Sequence, residues 1–513
     1  MKSFSHLYSF SMILRKLIAS VMAATMALTP SVAVFAQTHQ EPLNLNLPSM
    51  GSVAGTDLSP LEEQMLGEEI MSQIRADDAY LNDAETLDYL NHLGYRLVSV
   101  ANSHTYNFFF FPIIDHSLNA FALPGGFIAV HSGLVVAAQS ESELAGVVGH
   151  EIGHVSQRHI ARMIDQQRHS AALTLGSLLL AILAARAGGG QAATAVAMGS
   201  QAAMIQNQLG FSRSAEREAD RIGLTSLVKA GFDPKGMENF FARLHQNNRY
   251  YEAAAPEYLS THPLTVERIS DMENRTRRLG ARLHEDSLDF LLIQQRLRVL
   301  QEHKRDQWLR VQRELKNDLA HNVSQRKKSA FYYGLSVVAR KLNQGEDAKR
   351  YAELALQSSD DRSNAILVKN SSEMRFLFGN QKERFAALRD AKRLVDDNPL
   401  SQMAVKLYAY ELYELKRYND VLKFMRNQQA MSQDNPSYHA IAARCYKELK
   451  QMSEHYQSVG DMYLAQGDKR AAEYQYNLAQ KANDGDYYTM SQVDAKLRNT
   501  RAAILEEEKF KNE

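Results

Sequence analysis

Val147-Val148-Gly149-His150-Glu151-Ile152-Gly153-His154-Val155 is the stretch around which this chain of 513 residues is organised. On an α-helix, residues four apart lie one turn above each other on the same face, so His150 and His154 can aim two imidazoles at one metal ion. Glu151 sits one step round that turn. There a carboxylate can take a proton from metal-bound water, the arrangement expected of a zinc peptidase. The helix is predicted independently of the motif, because Ser142-Glu143-Leu144-Ala145-Gly146-Val147-Val148 opens with acidic residues and good helix formers and runs into an apolar face. The same three side chains also fall together by accident on ordinary amphipathic helices, so the weight of the reading rests on their surroundings.

A metal held by two histidines needs a third protein ligand and usually a carboxylate that orients an imidazole from behind. Ser212-Arg213-Ser214-Ala215-Glu216-Arg217-Glu218-Ala219-Asp220 reads as the start of a helix with Glu216 and Asp220 on one face. Glu216 is the candidate third ligand and Asp220 the candidate orienting group. Glu218 points about 200° away from Glu216 and is the weaker candidate. A helix this charged is ordinarily a solvated one, and only partnership with His150 and His154 makes it part of a site.

The β signal is confined to two runs, Tyr106 to Pro112 and Asn119 to His131, with Pro124-Gly125-Gly126 as a turn between short strands. A strand edge beside a metal-binding helix can pair with an extended peptide and hold it across the metal, although an ordinary hairpin has the same sequence signature. Helices are predicted from Asp57 through Ile74, over 84–100, and over 265–279. Between Ser170 and Ser212 the only charge is Arg186, with a triple glycine at 188–190. A buried helical hairpin is the favoured reading of that segment, with a mobile tip at the glycines. A lid over the site and a contact with a membrane surface are the competing readings.

Asn119-Ala-Phe-Ala-Leu-Pro-Gly-Gly-Phe-Ile, the His150-Glu151-x-x-His154 helix, the Glu216-x-x-x-Asp220 helix and Thr261-His262-Pro263 together resemble the M48 family of zinc metallopeptidases over about residues 57–280. The resemblance implies a gluzincin-like fold with one Zn2+ per chain, His150, His154 and Glu216 as its ligands, Glu151 as general base and Asp220 behind a ligand. It also implies that His262, on a loop over the metal, is a fourth ligand or latch; by itself a histidine before Pro263 reads as a loop-packing residue. His159 falls nine residues after His150 where an extended metzincin pattern wants the tenth, so it does not extend the ligand set.

Charge is balanced at 59 basic and 59 acidic residues, which gives no reason to expect nucleic acid as a partner. Arg15 and Lys16 precede an uncharged run from Leu17 to Leu28, and Val34-Phe35-Ala36 offers the small residues of a cleavage site. Residues 1–36 are therefore read as a signal peptide cut after Ala36, with Met1 or Met12 as the start. The single cysteine, Cys445, cannot make an internal disulfide and reads as a small buried apolar residue.

From about Ser287 the pattern is helix after helix. Ala348, Ala352 and Ala355 recur as Ala472, Tyr476 and Ala479, while Ala387, Ala391 and Leu394 share the spacing, and Asp397-Asn-Pro399 returns 37 residues later as Asp434-Asn-Pro436. Small residues at this spacing let antiparallel helices pack closely, and the period resembles tetratricopeptide (TPR) repeats, about four pairs.

The expected architecture is α+β and mostly helical. It comprises a signal peptide (1–36), an extended lead-in (37–56), a metalloprotease domain with a small β-sheet (57–285), an all-α TPR-like solenoid (286–500) and a tail (501–513). With the leader and the repeats, the layout resembles periplasmic members of the family. That implies envelope quality control, with unfolded or misassembled proteins as substrates and the outer-membrane β-barrel assembly machinery as partner through the repeats. The rival expectation is a chaperone or adaptor whose repeats act while the metal site stays largely latent.

Overall fold

The computed structural model describes residues 58–101, 106–166, 212–250, 257–428 and 435–512. The leader, the lead-in and the uncharged segment up to residue 211, with its glycine turn, lie outside the described residues.

Helix α1 (Pro60–Arg75) starts on a capping box, Ser59 and Glu62 satisfying each other's backbone amides, with Pro60 where its missing N–H costs nothing. Helix α2 (Ala84–Val98) is capped by Asp83, which accepts from the Thr86 amide at 3.1 Å. Three short strands follow, β1 (Phe109–Ile113), β2 (Ala120–Ala122) and β3 (Phe127–His131). They form a sheet in the order β1-β3-β2, with β1 parallel and β2 antiparallel to β3, so β2 is an edge. The predicted turn is there: Pro124–Gly126 joins β2 to β3, with Gly125 and Gly126 at φ 79° and 94°, conformations that favour glycine. Helix α1 lies on this turn because Gly67 has no side chain; a Cβ there would sit 2.1 Å from the Pro124 carbonyl oxygen.

Beyond the sheet come α3 (Ser132–Ala137), α4 (Glu141–Ser156), α5 (His159–Gln166), α6 (Arg213–Lys229), α7 (Lys235–Tyr250), α8 (Glu257–Thr261) and α9 (Val266–Leu279). Twelve further helices among the described residues, α10 (Leu288–Leu300) through α21 (Tyr487–Asn512), make up the C-terminal half. The last of them carries on through the expected tail. No helix among the described residues is long and apolar enough to cross a membrane.

The repeat signature is a packing signature. Ala348, Ala355, Ala387, Ala391, Ala472, Tyr476 and Ala479 are all fully buried. In several pairs a serine of the first helix donates to an alanine carbonyl of the second: Ser336 to Ala348 at 2.8 Å, Ser372 to Ala387 at 2.9 Å, Ser453 to Ala479 at 3.2 Å. That bond is made only where the two backbones approach closely, which the alanines permit. Cys445 is buried, and burial pushes its thiol up to about 12, as a small apolar residue requires.

The two halves share one core, in which Leu90 and Leu93 of α2 join Phe290 and Ile293 of α10 and Tyr333 and Leu335 of α12 (Gln325–Lys341). Charge locks the same contact. Arg296 of α10 holds Asp83 with two nitrogens, one at 2.8 Å, and reaches Glu85 at 3.0 Å. Lys369 of α14 (Ala365–Phe378) bonds Glu85 and, at 2.8 Å, Glu373. Asp88 of α2 accepts from Ser401 Oγ at 2.6 Å and from the Met403 amide at 3.1 Å, capping α16 (Gln402–Glu414) from outside.

Candidate metal centre

Helix α4 begins at Ser140, whose hydroxyl accepts from the Glu143 amide at 3.2 Å, and α6 begins in the same way at Ser212. The two cross through small residues. A Cβ on Gly153 would lie 2.9 Å from the Ala219 Cα, and one on Gly223 would lie 2.8 Å from the His150 amide nitrogen. This near-contact of backbones brings Glu216, two turns before Gly223, into reach of both histidines. The glycines inside the α4 motif, helix-weakening in isolation, set the distance between the helices that carry His150, His154 and Glu216.

The sequence-predicted ligands do converge. His150 Nε2 and His154 Nε2 are 3.0 Å apart, and Glu216 lies 3.5 Å from the first and 3.4 Å from the second. His262 turns its Nδ1 to the same point, 3.3 Å from His150 Nε2 and 3.0 Å from Glu216 Oε1. One donor atom from each of the four lies within 4.8 Å of the others, and all four residues are buried. Three imidazole nitrogens and a carboxylate oxygen are a donor set suited to a borderline divalent metal, and the spacing leaves room for one ion between them.

Asp220 is where an orienting carboxylate should be, its Oδ1 2.9 Å from His150 Nδ1. Arg268 clamps Asp220 from behind with Nε at 2.7 Å and Nη2 at 2.8 Å, and its Nη1 reaches Glu216 Oε2 at 2.7 Å. Arg268 is buried, and its charge offsets the burial that would otherwise protonate the two acids. Burial works against the Asp220 and Glu216 charges, but Arg268 for the one and the histidines for the other hold both below the ordinary carboxylate range. Burial also opposes charge on His150, yet Asp220 and Glu216 raise its pKa to about 9, whereas at His154 burial dominates and drives the pKa well down.

Glu151 is fully buried, and among the described residues its carboxylate oxygens have no hydrogen-bond partner of good geometry, the Ala122 backbone being a weak one. His262 Nε2 lies 3.6 Å from Glu151 Oε1. Burial raises the Glu151 pKa, which makes the group a better proton acceptor. The His262 ring thus stands between the ligand cluster and Glu151, stacked on Tyr258 with ring centroids 4.6 Å apart.

Sequence reasoning missed Arg268, which follows His262 by six residues on a helix with several other arginines. His159, read from the sequence as not extending the ligand set, places its Nδ1 3.0 Å from His154 Nδ1.

The sequence profile described as peptidase family M48 matches residues 85–276. The beta-barrel assembly-enhancing protease of Escherichia coli K12 is 33% identical over 397 residues, 76% of this chain and 77% of that one. A Vibrio cholerae protein carrying a provisional form of the same name is 42% identical over 257 residues, 49% of this chain; this chain spans only 52% of its length. Among solved structures, the TPR protein YrrB aligns with 41% of this chain and 92% of its own at 14% identity and a TM-score of 0.22, too loose a likeness to carry an argument.

Proposed function

We propose, for a chain that belongs to peptidase family M48, that it is an exported zinc endopeptidase acting in the periplasm on unfolded or misassembled proteins, outer-membrane β-barrel proteins among them. The observation that carries this is the convergence of His150, His154, Glu216 and His262 within 4.8 Å, with the Glu151 carboxylate alongside. His150, His154 and Glu216 would hold the ion, which when bound supplies a Lewis acid for the scissile carbonyl and lowers the pKa of water toward about 7. Glu151, whose pKa burial raises, accepts the proton of the attacking water in this reading and passes it to the leaving amine. Asp220 and Arg268 keep His150 aimed, and β2, an edge strand packed beside α4, is suited to holding an extended peptide.

His262 supports a resting state in which its ring fills the fourth ligand position and must move before substrate enters. Division of labour follows the expected boundaries, with catalysis in 57–285 and partner selection in the repeats of 286–500. The relatives' name, beta-barrel assembly-enhancing protease, supports a partner in β-barrel assembly, and the outer-membrane assembly machinery is the docking partner proposed for the repeats.

The test is Glu151→Gln. The variant should bind zinc as the parent does and lose cleavage of unfolded protein. If it restores envelope integrity fully to cells lacking the gene, the repeats do the work and the chain is a chaperone or adaptor instead.

A further inference from the structure

Two carboxylate–arginine pairs stand behind the two ligand histidines, and the sequence motif accounts for only one of them. Behind His150 the pair is Asp220–Arg268, in direct contact with the imidazole at 2.9 Å. Behind His154 the pair is Glu218–Arg162, and an imidazole is interposed. His154 Nδ1 lies 3.0 Å from His159 Nδ1, His159 Nε2 lies 3.1 Å from Glu218 Oε2, and Arg162 Nη1 donates to the same oxygen at 3.1 Å. His159 and Glu218 are both buried, at 3% and 8% exposure, so these contacts are made out of bulk water.

The chain of contacts has one polarity. Glu218 is ionised and only accepts, so His159 must carry its proton on Nε2 and present a bare Nδ1. A bare Nδ1 on His159 accepts from His154, which must then carry its own proton on Nδ1. That leaves the lone pair of His154 on Nε2, the atom that faces His150 Nε2 and Glu216. Fold geometry puts the relay there: α4 ends at Ser156, Arg158 takes the left-handed conformation at φ 53°, and the next residue folds back against the turn it has just left. The Arg158 strain is held by its buried ion pair with Glu63, which also accepts from Tyr106 Oη at 2.7 Å.

We infer that His159, backed by Glu218 and Arg162, is a positioning residue that fixes the tautomer and ring orientation of His154, so that both ligand histidines are aimed by a carboxylate, one directly and one through an imidazole spacer. Interactions of this kind are worth about 10- to 100-fold in metal affinity. The inference rests on the reading of this cluster as the metal centre.

The experiment measures zinc affinity of the full chain by competition with a chromophoric chelator, together with the melting temperature without and with zinc. His159→Phe keeps a planar aromatic ring and removes the acceptor. It should weaken zinc binding about 10- to 100-fold and shrink the zinc-induced rise in melting temperature, while the zinc-free melting temperature stays near that of the parent. His159→Gln, which retains an acceptor oxygen, should recover part of the loss. Parental zinc affinity in a folded His159→Phe overturns the inference, as does an equal loss in Phe and Gln variants. If His159→Phe does not fold, Glu218→Gln decides: weakened zinc binding supports the relay and unchanged binding removes it. Failure of the underlying reading looks different, because the parent chain itself would then take up no zinc.

Discussion

Arg296 and Lys369 fasten the repeats to the N-terminal half through the first turns of α2, and the structure ranks what their loss should cost. Removing one partner of a buried ion pair typically costs about 3–5 kcal/mol, because the other charge is left in a poor solvent. After Lys369→Met, neither carboxylate is stranded: Glu85 keeps Arg296 at 3.0 Å and Glu373 keeps Arg340 at 2.6 Å. The cost should fall near the lower end, about 3 kcal/mol, or roughly a hundredfold in the folding equilibrium. After Arg296→Met, buried Asp83 loses the guanidinium that does most to hold its pKa down and, among the described residues, keeps the Thr86 hydroxyl at 2.6 Å, the Thr86 amide at 3.1 Å and the more distant charge of Lys369. That variant should approach about 5 kcal/mol. Urea unfolding followed by the fluorescence of Trp308, the single tryptophan, reads the repeat side, and zinc release to a dye reads the other. The parent should give one coincident transition and Arg296→Met two separated ones, with zinc released first. If Lys369→Met proves costlier than Arg296→Met, or if neither moves the midpoint, the coupling argued from these contacts is wrong.

Other consequences are as testable. Chelation should lower the melting temperature and zinc restore it, by the equivalent of about 4 kcal/mol at a thousandfold excess over Kd; a melting temperature indifferent to chelation would remove metal from the cluster. His262→Ala should raise cleavage of an unfolded substrate, and unchanged or lower activity in a folded variant would remove the latch. In the repeats, Glu411 is fully buried and its Oε2 has no hydrogen-bond partner among the described residues; burial pushes its pKa up to about 8 from an ordinary 4.5. The folded state then binds more protons than the unfolded one between those values, so its contribution is complete below pH 4.5 and is lost as pH rises toward 8. Glu411→Gln should flatten stability over that window by about 1.4 kcal/mol per pH unit; an unaltered slope in denaturant titrations would show that Glu411 ionises freely.

What the sequence disclosed follows from where local rules suffice. His150, His154, Glu216 and Asp220 were legible because helical period alone fixes which side chains share a face, and the structure brings all four together. The repeat alanines were legible for the same reason, and Pro124-Gly125-Gly126 announced its turn by composition. Arg268 and His159 were not, because nothing local distinguishes a buried clamp from another arginine, or a histidine packed against His154 from any other histidine. Their roles appear only when helices far apart in sequence are set side by side. The sheet order β1-β3-β2 was equally hidden, since a parallel pairing of β1 with β3 leaves no trace in either strand's own pattern.

The crossing of α4 over α6 at Gly149, Gly153, Ala219 and Gly223 bears on how such a centre can be re-engineered. Reach of the carboxylate toward the imidazoles is governed there by absent carbon atoms, not by the ligands. Exchanging ligands while leaving the crossing intact alters which ion is preferred; adding a single methyl at Gly153 levers the helices apart and changes bite distance for every ion at once. A library aimed at new metals should therefore hold these small residues constant and vary the shell around them.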